Sequence, residues 1–161
     1  MANPNWCRWI HASVAKYLKD ISTVNSLASL VEELEDRTTE FSESPDRVEI
    51  RMNGPYTTNP SSSYYIARIA INVLITSNAG GKTKNVYRMD EIAGIFHEAL
   101  HLPIPVFKLG TDPLASGYQL GCLMPLDDKQ GVKVFHFGQI DPTDQVRQSM
   151  VSAAYQIELD E

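Results

Sequence analysis

The sequence predicts an α+β domain: a mostly antiparallel sheet with helices packed on one face and one strand or hairpin long enough to protrude. Three observations predict it. Apolar residues recur at helical spacing near the start and again in the middle of the chain. A thirteen-residue run, Tyr64 to Thr76, alternates instead with period two. Four further strand-like runs follow the middle helix with no helical pattern between them. Helices gathered on a sheet whose strands follow one another directly make an α+β arrangement.

The first element is a helix. Asn3 or Asn5 can cap it, and Pro4 suits its first turn. Trp6, Trp9, Ile10, Val14, Tyr17, Leu18 and Ile21 form one apolar stripe, and Ser22 to Asn25 breaks it. Leu27, Leu30, Val31 and Leu34 repeat the spacing, so Ser26 to Asp36 is expected as a second, acidic helix. Val48, Ile50 and Met52 then alternate with Glu49 and Arg51, a half-buried strand. Turn residues Asn53-Gly54-Pro55 and Asn59-Pro60 place a loop at Asn53 to Ser63.

The long strand follows, with Tyr65, Ala67, Ile69, Ile71, Val73 and Ile75 on one face. Thirteen extended residues span about 43 Å at roughly 3.3 Å each, so part of the strand is expected to stand beyond the core. Ser77 to Asn85 is a flexible loop and Asn85 a cap for a helix from Val86 to about His101. Met89, Ile92, Ile95, Phe96, Ala99 and Leu100 line one side of that helix, and Pro103 and Pro105 stop it. Strands are expected at Ile104–Leu109, Tyr118–Met124 and Val132–Phe137, the last two joined as a hairpin around Asp127, Asp128 and Gly131. Val151, Ala153, Tyr155, Ile157 and Leu159 alternate in a closing strand. Without a repeat or linker, residues 1–161 read as one domain. Residues 1–36 are its helical part, and residues 47–159 are its sheet plus the central helix.

Composition narrows the function. Fourteen Lys and Arg stand against 20 Asp and Glu, for a net charge of −6 and a pI near 5.2. That argues against a chain whose main task is gripping nucleic acid, which needs clustered cations. Cys7 and Cys122 are too few for a disulfide scaffold and read as thiols of a reducing compartment. No apolar run reaches the roughly 20 residues of a membrane helix, and the N-terminal segment has no signal-peptide pattern.

One motif offers catalysis. His97-Glu98-Ala99-Leu100-His101 spells H-E-x-x-H, in which two histidines on one helix face bind zinc and the glutamate activates the bound water. The surroundings oppose that reading. Pro103 ends the helix two residues after His101, so the second ligand would sit in a fraying turn. A third ligand is also needed, and only His136 and Glu158 offer themselves. Asp90, His97 and His101 share the face opposite the apolar stripe, which reads more simply as a solvated face with a histidine at the helix C-terminus. No phosphate-binding loop, G-x-S-x-G or C-x-x-C occurs. Asp127-Asp128 reads as a solvated turn, and Asp141, Asp144 and Asp160 as ordinary surface carboxylates. Cys122, alternating with Leu120 and Met124, is expected in the core, as are Trp6 and Trp9. Neither a catalytic residue nor a cofactor is expected. The low-ranked metal alternative is a small zinc metalloprotease using His97, Glu98 and His101.

Two stretches carry a family resemblance. RVEIRMNGPYTTNPSSSYYIARIAINVLITSN resembles the strand, N-G-P loop and long strand of neck proteins of tailed bacteriophages. VKVFHFGQIDPTDQVRQSMVSAAYQIEL resembles their closing strands, with His136-Phe137-Gly138-Gln139 followed by Asp141-Pro142. The helix before IPVFKLG and the YQLGCLMPL run keep the same order, so residues 47–159 are similar to a tail terminator. The resemblance implies a virion structural protein without catalytic residues, assembled in the bacterial cytoplasm. Its copies would form a homo-oligomeric ring, a hexamer, at the head-proximal end of the tail tube. The implied partners are other copies of the chain, the tail tube protein and the head-tail connector, with DNA only passing through the lumen and no membrane. A head-completion adaptor one ring away is the alternative within the same class. The expected projecting strand and the loops Asn53–Ser63 and Ser77–Asn85 would supply the unlike surfaces that a head-to-tail ring requires.

Overall fold

A computed structural model of the chain describes residues 5–27, 30–31, 46–58, 64–77, 82–108, 118–126, 131–139 and 147–160. In order these are α1 (Trp6–Val24), β1 (Leu30–Val31), β2 (Asp46–Thr58), β3 (Tyr64–Ser77), α2 (Lys82–Ala99), β4 (Ile104–Lys108), β5 (Tyr118–Pro125), β6 (Lys133–Gln139) and β7 (Arg147–Asp160). The expected α+β class is corrected. Strands take 57% of the described residues, and the molecule is a mostly antiparallel sheet curled into a half-barrel with two helices, not a helix-packed α+β fold. The strand order is β1-β2-β3-β7-β5-β4, with β6 beside β7, and among the described strands only β1 runs parallel to its neighbour.

The imbalance arises because strands run further than their turn residues suggest. β2 continues through Asn53-Gly54-Pro55 to Thr58, where a loop was expected. A register shift between Asn53 and Tyr56 absorbs the irregular step, and pairing to β3 resumes at Tyr56 opposite Arg68. Gly54 is the residue that permits this, with φ at +106°; a Cβ there would lie 2.9 Å from the Arg68 carbonyl oxygen. Leu30–Val31, expected as helix, pairs with Val48–Glu49 as β1. A four-residue apolar pattern cannot distinguish the two structures. Ser26 and Leu27 of that expected acidic helix fold back in the turn after α1, their amides donating to the Thr23 and Ser22 carbonyls; the remainder of it and the Asn59–Ser63 stretch lie outside the described residues.

The long strand is the second correction. β3 is central, paired with β2 from Ser77 to Ile66 and with β7 from Ser77 to Tyr64. Its inward row, Ala67 to Ile75, is buried throughout. It therefore does not protrude; its length is absorbed by an equally long β7.

One core joins Trp9, Ile10, Val14 and Leu18 of α1, Met89, Ile92, Ala93, Phe96 and Leu100 beside α2, and the inward rows of β2, β3, β4 and β7. α1 starts after Asn5, whose carbonyl accepts the Trp9 amide although its side chain makes no cap. It runs through Ser22, past the expected break, to a cap at Asn25, whose Nδ2 donates to the Ile21 carbonyl. α2 begins at Lys82, four residues ahead of the expected Val86. α1 lies against β4, where the Phe107 amide donates to Ser13 Oγ at 3.0 Å, and His11 Nε2 lies 3.0 Å from the Gly54 carbonyl oxygen of β2.

Candidate functional site

The expected β5–β6 hairpin does not form. Met124 and Pro125 of β5 face Gln156 and Tyr155, and Lys133 of β6 faces Ser152. Both strands therefore run the same way along one edge of β7, as a single strand interrupted between Pro125 and Lys133. The Leu126 amide prolongs the β5 pairing by donating to the Ala154 carbonyl at 2.8 Å. A cavity of about 280 Å³ opens at the interruption, lined by His101, Pro125, Leu126, Gly131, Val132, Ala153 and Ala154. The small side chains of Ala153 and Ala154 leave that space, and exposed His101 stands at its rim.

His101 and His97 are together, as their spacing predicts, with ring centroids 4.7 Å apart and planes at 77°. The remaining candidate ligands are not with them. His136 Nδ1 lies instead 3.8 Å from Asp90 Oδ1. Glu158 faces Ile66 on an outward row of the sheet, opposite the inward row that packs against the helices. Glu98 is exposed beside the pair. Among the described residues no group of three or more His, Cys, Asp and Glu side chains is placed to hold a metal ion. α2 ends at Ala99, so His101 lies beyond the helix in the turn that Pro103 enforces.

A grouping that no sequence spacing signals lies on the same side. His136 is directly opposite Ser149 in the ladder, which places Asp90, His136 and Ser149 in the order acid, base, hydroxyl. It is not a working triad. Ser149 is fully buried and its Oγ has no hydrogen-bond partner, whereas a nucleophile must bond to its base and meet its substrate.

Two tyrosines, buried Tyr155 and half-buried Tyr17, close the end of α2. Tyr155 donates to the carbonyls of both Leu100 and Leu102, and Tyr17 donates to Ala99 at 2.9 Å. These are C-terminal carbonyls that the helix itself cannot satisfy. Burial pushes both phenols above their ordinary value, and for Tyr155 the nearby Tyr17 adds to the rise.

What remains outside is apolar. On β5 Leu123 is buried, whereas Tyr118, Leu120 and Met124 are 74%, 39% and 50% exposed; a register shift against Val106 and Phe107 leaves Leu120 unpaired, so the three do not share one row. Cys122 is half-buried, contrary to the core position expected for it; its sulfur accepts from Gln119 Nε2. Alternation marks Tyr118, Leu120, Cys122 and Met124 as the apolar face, yet Leu123 of the other set is the buried residue, and the register shift at Leu120 interrupts the alternation. Trp9 is buried and Trp6 packs against the core, both as expected. On β6 every residue from Val134 to Gly138 is exposed, Phe135 and Phe137 included. Asp127-Asp128, Asp141 and Asp144 lie outside the described residues, and the side chain of Asp160 lies outside them too. No described helix is long and apolar enough to cross a membrane. No protein-family model matches the chain, and a search of curated proteins finds no match to it.

Proposed function

We propose that the chain is a virion structural protein, a tail terminator that forms a ring on the tail tube of a bacteriophage and joins it to the head connector. The observation that carries this reading is the exposed apolar stretch of β5, with Tyr118, Leu120 and Met124 all open to solvent. Exposed apolar surface of this kind marks contact with another protein. A head-to-tail ring needs a patch on one side of each subunit and a complement on the other, and β5 supplies the patch. The long strand, being internal, contributes no projecting arm, so the contact is a face and not a clasp.

Charge also suits a conduit for DNA. Residues 26–46 hold seven carboxylates and one arginine, which accounts for the whole net charge of −6 and leaves the rest of the chain neutral. Acidic chain at the lumen would keep the nucleic acid from sticking to its wall. The subunits, six by resemblance, would meet the tube protein on one side and the connector on the other. Native mass spectrometry with and without tail-tube protein tests this, and a ring is the expected outcome. A chain that stays monomeric in the presence of both tube and connector proteins would count against it. Purified tails retaining the protein indicate a terminator; filled heads retaining it indicate a head-completion adaptor instead.

A further inference from the structure

We infer that Asn53 is a site at which the chain modifies itself: its side-chain amide converts to a carboxylate through a cyclic imide that the Gly54 nitrogen closes and the Tyr56 hydroxyl promotes. Asparagine is a thermolabile residue, and its lability depends on whether the backbone nitrogen after it can reach Cγ. A regular strand prevents this by holding that nitrogen in its ladder, and a following side chain shields it. Neither protection operates at Asn53. Asn53 pairs with Ala70 and Tyr56 with Arg68, but Gly54 and Pro55 fall in the register shift and have no register partner on β3. Gly54 carries no Cβ and takes a φ of +106°. Asn53 itself is exposed, so water reaches it.

Tyr56 supplies the second element. Its hydroxyl donates to Asn53 Oδ1 at 2.7 Å. That bond draws electron density away from Cγ. It also stands where negative charge develops on Oδ1 as a nitrogen adds, the role of an oxyanion-hole donor. Hydroxide removes the Gly54 amide proton as water, and the nitrogen bonds to Cγ. The Cγ–Nδ2 bond then breaks, and ammonia leaves with a proton from water, which regenerates the hydroxide. Water opens the cyclic imide on either side. Cleavage of its bond to Cγ gives aspartate; cleavage of its bond to the main-chain carbonyl carbon gives isoaspartate, whose backbone runs through Cβ and Cγ.

Either product adds one negative charge to the chain's −6. Isoaspartate also lengthens the main chain at the bulge, where His11 Nε2 lies 3.0 Å from the Gly54 carbonyl oxygen. The change is thereby passed to α1, which carries His11. β5 takes no part, and the inference does not rest on the ring reading.

Incubation of the folded full chain at neutral and at mildly alkaline pH tests it, followed by peptide mapping that resolves aspartate from isoaspartate. Asn53 should convert ahead of every other asparagine, and faster at the higher pH. Tyr56→Phe removes only an exposed hydroxyl and should slow the conversion about threefold, the worth of one neutral hydrogen bond. An unchanged circular dichroism spectrum shows that this variant folds. In denaturing urea the wild type and Tyr56→Phe should convert at equal rates, because the hydroxyl contact belongs to the folded chain. Asn53→Gln should remove the signal at this position, since the longer side chain closes the ring far more slowly. An Asn53 that stays intact or is overtaken by another asparagine, a Tyr56→Phe chain that converts as fast as the wild type or faster, or a difference that persists in urea would overturn the inference.

Discussion

Tyr155 shows how much one side chain can settle. Its ring fills the core, and its hydroxyl donates to two carbonyls just past α2. Tyr155→Phe keeps the shape and strands those acceptors, so it should lower unfolding stability by about 1–3 kcal/mol in a denaturant titration. The same hydroxyl sets an alkaline limit. Its pKa is raised in the folded chain by burial and then by Tyr17, so the unfolded state loses this proton first. Stability from this group is fully present below the ordinary tyrosine value of 10.0 and drains away as pH rises above it. Melting temperature measured at pH 9 and pH 11 should therefore fall more for the wild type than for Tyr155→Phe. Gly54 is equally particular: Gly54→Ala forces a Cβ against the Arg68 carbonyl at a positive φ and should cost about 1–3 kcal/mol by the same titration. The N-G-P letters announced a special backbone but not that a strand would run through it. At His97 and His101 the spacing correctly announced neighbours, and zinc added to the protein should leave its melting temperature unchanged.

Elements were legible where one face is apolar and the other is not. β3, β7 and both helices satisfy that condition, and the inward rows read from Tyr65–Ile75 and Val151–Leu159 are the rows that pack. β5 departs from it: a register shift at Leu120 breaks its alternation, and Cys122, expected inside, is half-buried. Leu30–Val31 is too short for any period to show. Which strands pair is a long-range matter that local spacing never encodes; a hairpin was the natural expectation for β5 and β6, yet both lie along β7. The same limit applied to the surface: the exposed apolar residues of β5 became visible only once pairing was known. Docking of α1 is likewise a tertiary matter. It hangs on Ile10, Val14 and Leu18 and on Ser13 receiving the Phe107 amide. Ser13→Ala should cost about 1–2 kcal/mol through the orphaned amide. Ile10→Ala should cost about 2–5 kcal/mol through the cavity it leaves, both read from thermal or urea unfolding.

At the scale of the molecule everything converges on β7. It pairs with β3 along one edge and with β5 and β6 along the other. Removing residues 147–161 therefore takes away three ladders at once. The truncated chain should show no cooperative unfolding transition by calorimetry, whereas loss of a peripheral strand would only lower the midpoint. This dependence has a temporal side. During translation, at roughly 5–20 residues per second, about 4–14 s separate Ser77, the last residue of β3, from Arg147, the first of β7. Throughout that interval β3 lacks its β7 neighbour. A nascent chain in this condition is a natural client for ribosome-associated chaperones, and its yield should depend on them more than on its final stability.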